Sequence, residues 1–411
     1  MNVLYLSYDG MTDFLGQSQV IPYLSGLSRL GHKIHIISCE KAAGLAQNGE
    51  HTGKILQKAG IGWSHIPFTK TPAGVSKIRD LFRLRNAAVS KHLQTPFDIV
   101  HCRSYIAAFA GASLKRKFGI RFLFDMRGFW VDERVEGGIW NMNNPAYRIA
   151  YSFFKWKEKQ FFQNADAVVS LTHKGTEIIS RKFGQRISDK TVVIPCCADS
   201  GLFSPFSISK ESQQALREAL EISQAEIVLT YLGSTGTWYK TKEMLMFFKR
   251  FMEHYPDSRF LFITGDNPQK IQDMALLAGI GPQFLKFVHA PREMVPAYLS
   301  ISHLSIFFIE PSFSKQASSP TKMAELMCMG IPIITNAGVG DTETIFADTS
   351  LGLLVQDFSI AEYDRVIARL PTMFQGNILH RRQYAETHLG LETGVQRYHS
   401  IYQRLGQENK D

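Results

Sequence analysis

The chain is poor in the residues that staple a fold or span a bilayer. It has five cysteines in 411 residues, an odd number with no Cys-x-x-Cys spacing. That supports neither a disulfide framework nor a zinc cage and points to a reducing cytoplasm. No apolar run approaches the roughly 18 to 20 residues that cross a membrane. Residues 2–8 lack a basic leader and run at once into Asp9, so they read as a first strand and not as a secretory signal. Gly-x-Gly-x-x-Gly and Gly-x-x-x-x-Gly-Lys-[Ser/Thr] are both absent, which argues against nicotinamide chemistry and P-loop hydrolysis.

Acidic residues are scarce in the first half. Residues 1–185 hold 25 Lys and Arg against 13 Asp and Glu, while the remainder holds 21 against 24, so the overall +9 is a +12 half beside a −3 half. Such a half can face nucleic acid, an anionic membrane or an acidic substrate. Two stretches concentrate the charge. One carries Lys77, Arg79, Arg83 and Arg85 and could hold the protein at an anionic surface. The other, residues 147–162, interleaves Phe153, Phe154, Trp156, Phe161 and Phe162 with Lys155, Lys157 and Lys159. At helical spacing the second could lie in a membrane interface, although aromatics turned inward beneath a solvated basic face are the simpler expectation.

What is present describes an ordered α/β protein. Apolar residues make up 45% and charged residues 20%, and the length suits two domains of about 200 residues. A strand at residues 3–6, a glycine-bearing loop at 9–17 with Gly10 and Gly16, a helix at 18–30 and a strand at 33–38 form a βαβ opening. Further strands are expected at 99–102, 122–125, 167–171 and 191–194. A second unit begins at 227–232 and continues at 260–264, 284–288 and 304–309. Residues 381–405 read as helix. Arg103 and Arg127 fall just where strands end, on loops of the kind that carry ligands.

The most telling stretch is Ser318, Ser319, Pro320, Thr321, Lys322, an apolar helix containing Glu325, then Gly330, Pro332 and Asn336. Pro320 suits a first helical turn and Ser318 or Ser319 can cap it, so free N–H groups and a positive dipole end meet an anion there. Lys322 adds a cation for phosphates and Glu325 an acceptor for ribose hydroxyls. With Gly338, Val339, Gly340 and Asp341 following, the segment resembles the donor-binding segment of retaining family-4 (group 1) glycosyltransferases of the GT-B fold. Glu325 falls on the second residue of that family's Glu-x7-Glu pair, and Ala317 stands where the first Glu belongs.

The resemblance spans nearly the whole chain and implies two Rossmann-like doubly wound domains facing a cleft. It implies an acceptor-side domain over 1–198, a nucleotide-sugar domain over 199–380, and a segment 381–411 whose helix crosses back to the first. The boundary follows a turn at Pro195, Cys196, Cys197, Ala198 and Asp199, where Cys197 replaces the expected Gly. In the loop after residue 232, Gly233 matches the family, but Ser234 and Tyr239 stand where a phosphate-binding Arg and Lys are common. Phosphate contact would then pass to Lys240, Lys242 or Lys322, with Gly16, Gly233 and Ser234 lending backbone. Arg292 lies where the family contacts the base. Arg103, Arg127 and Lys322 are the candidates for catalysis, and Ser318, Ser319, Thr321 and Glu325 for donor binding.

The implied reaction moves a sugar from a nucleotide diphosphate, a UDP-sugar above all, to a saccharide or lipid-linked acceptor in cell-surface polysaccharide or glycoconjugate synthesis. Asp-x-Asp occurs nowhere, so cations and a helix end are expected to replace a metal, with no cofactor and no nucleic-acid partner. The expected place is the cytoplasm, peripheral to the inner face of a membrane. Two other readings are a GT-B sugar-nucleotide epimerase and a weakly catalytic protein that only binds a nucleotide sugar.

Overall fold

Short runs rich in Val, Ile, Leu and Phe, apolar on both faces, form strands that are all parallel. This is the pattern of a sheet covered by helices on each side. The computed structural model describes residues 1–70 and 75–407, and the chain divides into two compact units, Met1–Pro195 with Leu391–Asp411 and Cys196–Gly390. The last four residues of the C-terminal segment lie outside the described residues.

In the first unit the strands are β1 (Asn2–Ser7), β2 (Lys33–Glu40), β3 (Gly62–Pro67), β4 (Ile99–Arg103), β5 (Arg121–Asp125), β6 (Ala167–Ser170) and β7 (Thr191–Val193). They lie in the order β3-β2-β1-β4-β5-β6-β7. The second unit holds β8 (Ile227–Leu232), β9 (Ser258–Ile263), β10 (Leu285–Val288), β11 (Leu304–Ile306), β12 (Ile333–Asn336) and β13 (Gly352–Val355), in the order β10-β9-β8-β11-β12-β13. Both are doubly wound Rossmann-like sheets. The winding reverses between β1 and β4 in one and between β8 and β11 in the other. Loops leave the strand ends in opposite directions at such a point, and the crevice between them is where open α/β sheets take ligands.

Local chemistry corrects several element expectations. The helix expected at 18–30 is two, Phe14–Gln19 and Ile21–Arg29, broken at Val20 because Pro22 cannot donate back into the preceding turn. Gly16 therefore sits in a helix and not in a loop, where a Cβ would collide with the Gly10 carbonyl oxygen and Met11 Cα. The helix expected at 381–405 is also two, Ile378–His388 and Leu391–Gln407, and the second belongs to the first unit. The strand expected at 304–309 leaves the ladder after Ile306. Asn336 then stands in for a neighbouring strand, its Oδ1 accepting from Ile309 N–H at 2.8 Å and its Nδ2 donating to Ile309 O at 2.9 Å. Among the described residues no helix is long and apolar enough to cross a membrane.

Candidate functional site

In the second unit the helix Thr321–Cys328 follows the β11 loop and is buried from Lys322 onward. Pro320 is its N-cap and no side chain caps it; Ser319 Oγ instead accepts from Cys196 N–H at 3.1 Å, so the serine capping expected from the sequence does not occur. The first turn faces β8 across the reversal point. Lys322 is 6% exposed, and its ammonium lies 4.1 Å from the Tyr231 ring centre and 3.7 Å from that of Tyr239. It donates to Tyr231 Oη at 3.0 Å, and Tyr231 in turn donates to the Ser234 carbonyl. A Cβ on Gly233 would stand 3.2 Å from Lys322 Nζ, so the absent side chain there opens the space above the amine. Gly233 is also held at φ 103°, a left-handed conformation that suits glycine.

Lys322 has no carboxylate within ion-pair distance among the described residues. Burial therefore holds its ammonium well below the usual lysine range, with Glu325 and Asp266 only partly offsetting it. Asp266 is engaged elsewhere, accepting from Thr235 N–H and, at 2.8 Å, from Thr235 Oγ1. One turn on, Glu325 Oε1 accepts from Arg292 Nη1 at 2.6 Å, and the guanidinium stacks 5.0 Å from the Phe203 ring centre. The structure thus brings Arg292, Lys322, Glu325, Gly233 and Ser234 to one edge. Glu325 Oε2 has no protein partner among the described residues, which keeps it available to a hydroxyl.

Other candidates are placed differently from the expectation. Lys240 Nζ lies 2.7 Å from Glu310 and 3.1 Å from Glu243, so its charge is already matched. The Gly233 N–H donates to Ile263 O at 2.9 Å and is not open to an anion. Ala317 is fully buried, so no acidic group reaches out from that position. Ser318 and Thr321 lie half-buried at the head of the helix.

In the first unit the β1/β4 reversal point is crossed by an ion pair. Arg103 Nε lies 3.2 Å from Asp9 Oδ2. At the end of β5, Asp125 Oδ2 accepts from Tyr398 Oη at 2.9 Å and lies 3.6 Å from His101 Nε2 and 3.8 Å from Arg127 Nη1. Burial opposes the Asp125 charge, but Arg127, His101 and Arg103 outweigh it and hold the carboxyl below its usual range. Arg127 takes φ 56°, a left-handed conformation that a non-glycine residue adopts at a cost. In the glycine-bearing loop that the sequence places at 9–17, two backbone N–H groups are already engaged. Glu40, at the end of β2, accepts from Met11 N–H at 2.6 Å and Thr12 N–H at 3.2 Å, and from Thr12 Oγ1 at 2.6 Å.

A family model described as a glycosyl transferase 4-like domain matches residues 20–197, and one described as glycosyl transferases group 1 matches residues 212–374. The chain is a GT-B glycosyltransferase.

No curated protein matches this glycosyltransferase in sequence. Solved structures match it along its length at low identity. Sucrose-phosphate synthase from Thermosynechococcus elongatus shares 16% identity at a TM-score of 0.74, covering 99% of each chain. Anabaena Alr3699/HepE in complex with UDP-glucose shares 13% at 0.72, covering 99% of this chain and 100% of its own. WaaG, a glycosyltransferase involved in lipopolysaccharide biosynthesis, shares 14% at 0.68, covering 97% and 99%. Sequence reasoning missed Glu40 and the Tyr231–Tyr239 pair around Lys322. Tyr239 had stood out only as a departure. A tyrosine one residue from the end of a buried strand, before a Gly-rich loop, was the signal for Tyr231.

Proposed function

We propose that this glycosyltransferase takes a UDP-sugar as donor and transfers its sugar, with retention and without a metal, to a saccharide or lipid-linked acceptor at the inner face of a membrane. The observation that carries the reading is Lys322: a buried amine without an ion-pair partner among the described residues, opening through Gly233 toward the reversal point of the second sheet. A β-phosphate placed there would supply the missing charge. Glu325 Oε2 is then the ribose acceptor and Arg292 the neighbour of the base. The UDP complex of Alr3699/HepE supports the choice of nucleotide. We assign Arg103 and Arg127 to the acceptor side, where their basic unit suits a phosphorylated lipid carrier.

A thermal-shift panel of UDP-, GDP-, ADP- and CMP-sugars tests the donor. Stabilisation by the uridine member and not the others is expected, and no shift with any of the four would overturn the reading. NMR of the first-formed product then reads the anomeric configuration, and an inverted product would remove retention. Incubation with the sugar nucleotide alone should give no epimer.

A further inference from the structure

The helix Pro145–Asn164 does not bury its aromatic residues as a set. Phe161 and Phe162 are in the core, but Ile149 is 72% exposed, Phe153 44% and Trp156 53%. The simpler expectation of an inward aromatic stripe fails for Phe153 and Trp156, and Ile149 joins them on the outside. They fall at i, i+4 and i+7, so at 100° per residue they share an outward arc of about 60°. Arg148 and Lys159 flank that arc on one edge and Lys157 on the other, its Nζ 4.4 Å from the Trp156 ring centre. Glu158 is the helix's only acidic residue. It is buried, bound to Lys155 Nζ and accepting from Tyr105 Oη at 2.7 Å. Lys155 is spent on Glu158 and Asp132. The outward face therefore presents large apolar groups and positive charge, with no carboxylate on the helix to oppose it.

The surface extends beyond one helix. Phe109 stacks on Phe153 with ring centres 6.0 Å apart. Trp130 packs 5.2 Å from Phe154 and receives Lys77 at 5.8 Å, which links it to the helix Val75–Gln94, whose Ile78 and Phe82 are also exposed. The cations of that second helix are less available than its sequence suggested. Arg79 and Arg83 both donate to Thr69 Oγ1, and Arg85 donates to Ser113 Oγ.

We infer that the Ile149–Phe153–Trp156 face docks on an anionic lipid surface, the aromatic groups entering the headgroup layer and Arg148, Lys157 and Lys159 resting on lipid phosphates. The charge argues for lipid over an apolar protein groove. The face belongs to the half of the chain with a net of +12, and a row of cations beside exposed Trp and Phe is the composition of an interfacial helix. The inference deepens the membrane placement proposed above and does not depend on the donor assignment.

The test is co-sedimentation of the full chain with phosphatidylglycerol/phosphatidylethanolamine vesicles and with phosphatidylcholine vesicles, with UDP affinity measured on the same samples. Wild type should pellet with the anionic vesicles at low salt. Ile149→Ser/Phe153→Ser/Trp156→Ser should lose roughly tenfold in partitioning. Arg148→Ser/Lys157→Ser/Lys159→Ser should bind no better to anionic than to neutral vesicles. UDP affinity should be unchanged in both, which separates failure of docking from failure of the donor site. Quenching of Trp156 by bromolipid, read in wild type against Trp156→Phe, should show ring insertion. Partitioning of the apolar variant equal to wild type would overturn the inference. So would concentration-dependent dimerisation that the same three substitutions abolish, because the face would then be the seat of a second copy.

Discussion

Lys322 and Glu325 sit three residues apart on one helix and do opposite things with charge. Glu325 shares its carboxylate with Arg292, whereas Lys322 is left with aromatic faces and one hydroxyl. The incoming charge of a diphosphate raises the depressed pKa of such an amine, so binding favours its protonated form. UDP binding should therefore take up protons, seen by calorimetry as a heat that varies with the buffer's ionisation enthalpy. Affinity should also weaken as pH rises. Lys322→Met should abolish both effects, and proton release on binding would contradict the assignment. For Glu325→Gln, loss of one charge-assisted hydrogen bond should weaken UDP binding by roughly 1.5 to 3 kcal/mol. Calorimetry on Glu325→Gln reads this defect, and an unchanged affinity in a variant that still folds would remove the ribose assignment. Both residues were legible in the sequence because helix-start chemistry is local. Glu40 was not, since its partners Met11 and Thr12 lie on another loop and only the β1–β2 pairing brings them near.

Elements were legible where a hydrophobic period ran undisturbed, and their breaks were legible only where the breaking residue is local. Pro22 marks the division at Val20, yet the periodicity on either side reads as one helix. The division at Leu389 and Gly390 has a tertiary cause: Ala198 N–H donates to Leu389 O at 2.9 Å, and Gly390 bridges Ala198. Beyond it, Leu391–Gln407 lies against the first sheet through Tyr398, Tyr402 and His399. His399 Nδ1 meets His32 Nε2 at 2.8 Å, so one proton serves the pair. Burial, the N-terminal amine and His399 push His32 down to about 4, and the ring of Tyr402 closes over it 5.0 Å away. A histidine depressed in the fold contributes stability fully above its unfolded value near 6.5, and that stability is lost as pH falls toward 4. The melting temperature should therefore fall from about pH 7 to about pH 4.5. His32→Gln should lose less over the same interval, and an identical loss in the variant would remove the pair from the acid response.

At the scale of the molecule, two tandem α/β halves were visible because buried parallel strands are short apolar runs between helical periods, a pattern that needs no tertiary knowledge. The charge bookkeeping of the donor site was not visible in the same way. By sequence the lost Arg and Lys of the Gly233 loop could be replaced by Lys240, Lys242 or Lys322, and only packing decides, by pairing Lys240 with Glu310 and Glu243. Lys242 is exposed, which leaves Lys322 as the buried cation on the proposed donor side with Arg292 behind it, while Asp-x-Asp is missing throughout the chain. Charge developing on a leaving diphosphate must be met by preorganised positive groups, and a buried amine meets it more strongly than an exposed one because little water screens the interaction. Turnover should therefore persist in EDTA with about the same kcat. It should fall by roughly 10² to 10³ in Lys322→Met, as for removal of one preorganised donor to a developing oxyanion. Complete loss of activity in EDTA, restored by Mn²⁺ or Mg²⁺, would place a cation where Lys322 is assigned. A Lys322→Met enzyme with normal kcat and a raised KM would mean that the lysine holds the ground-state donor and contributes nothing further as the bond breaks.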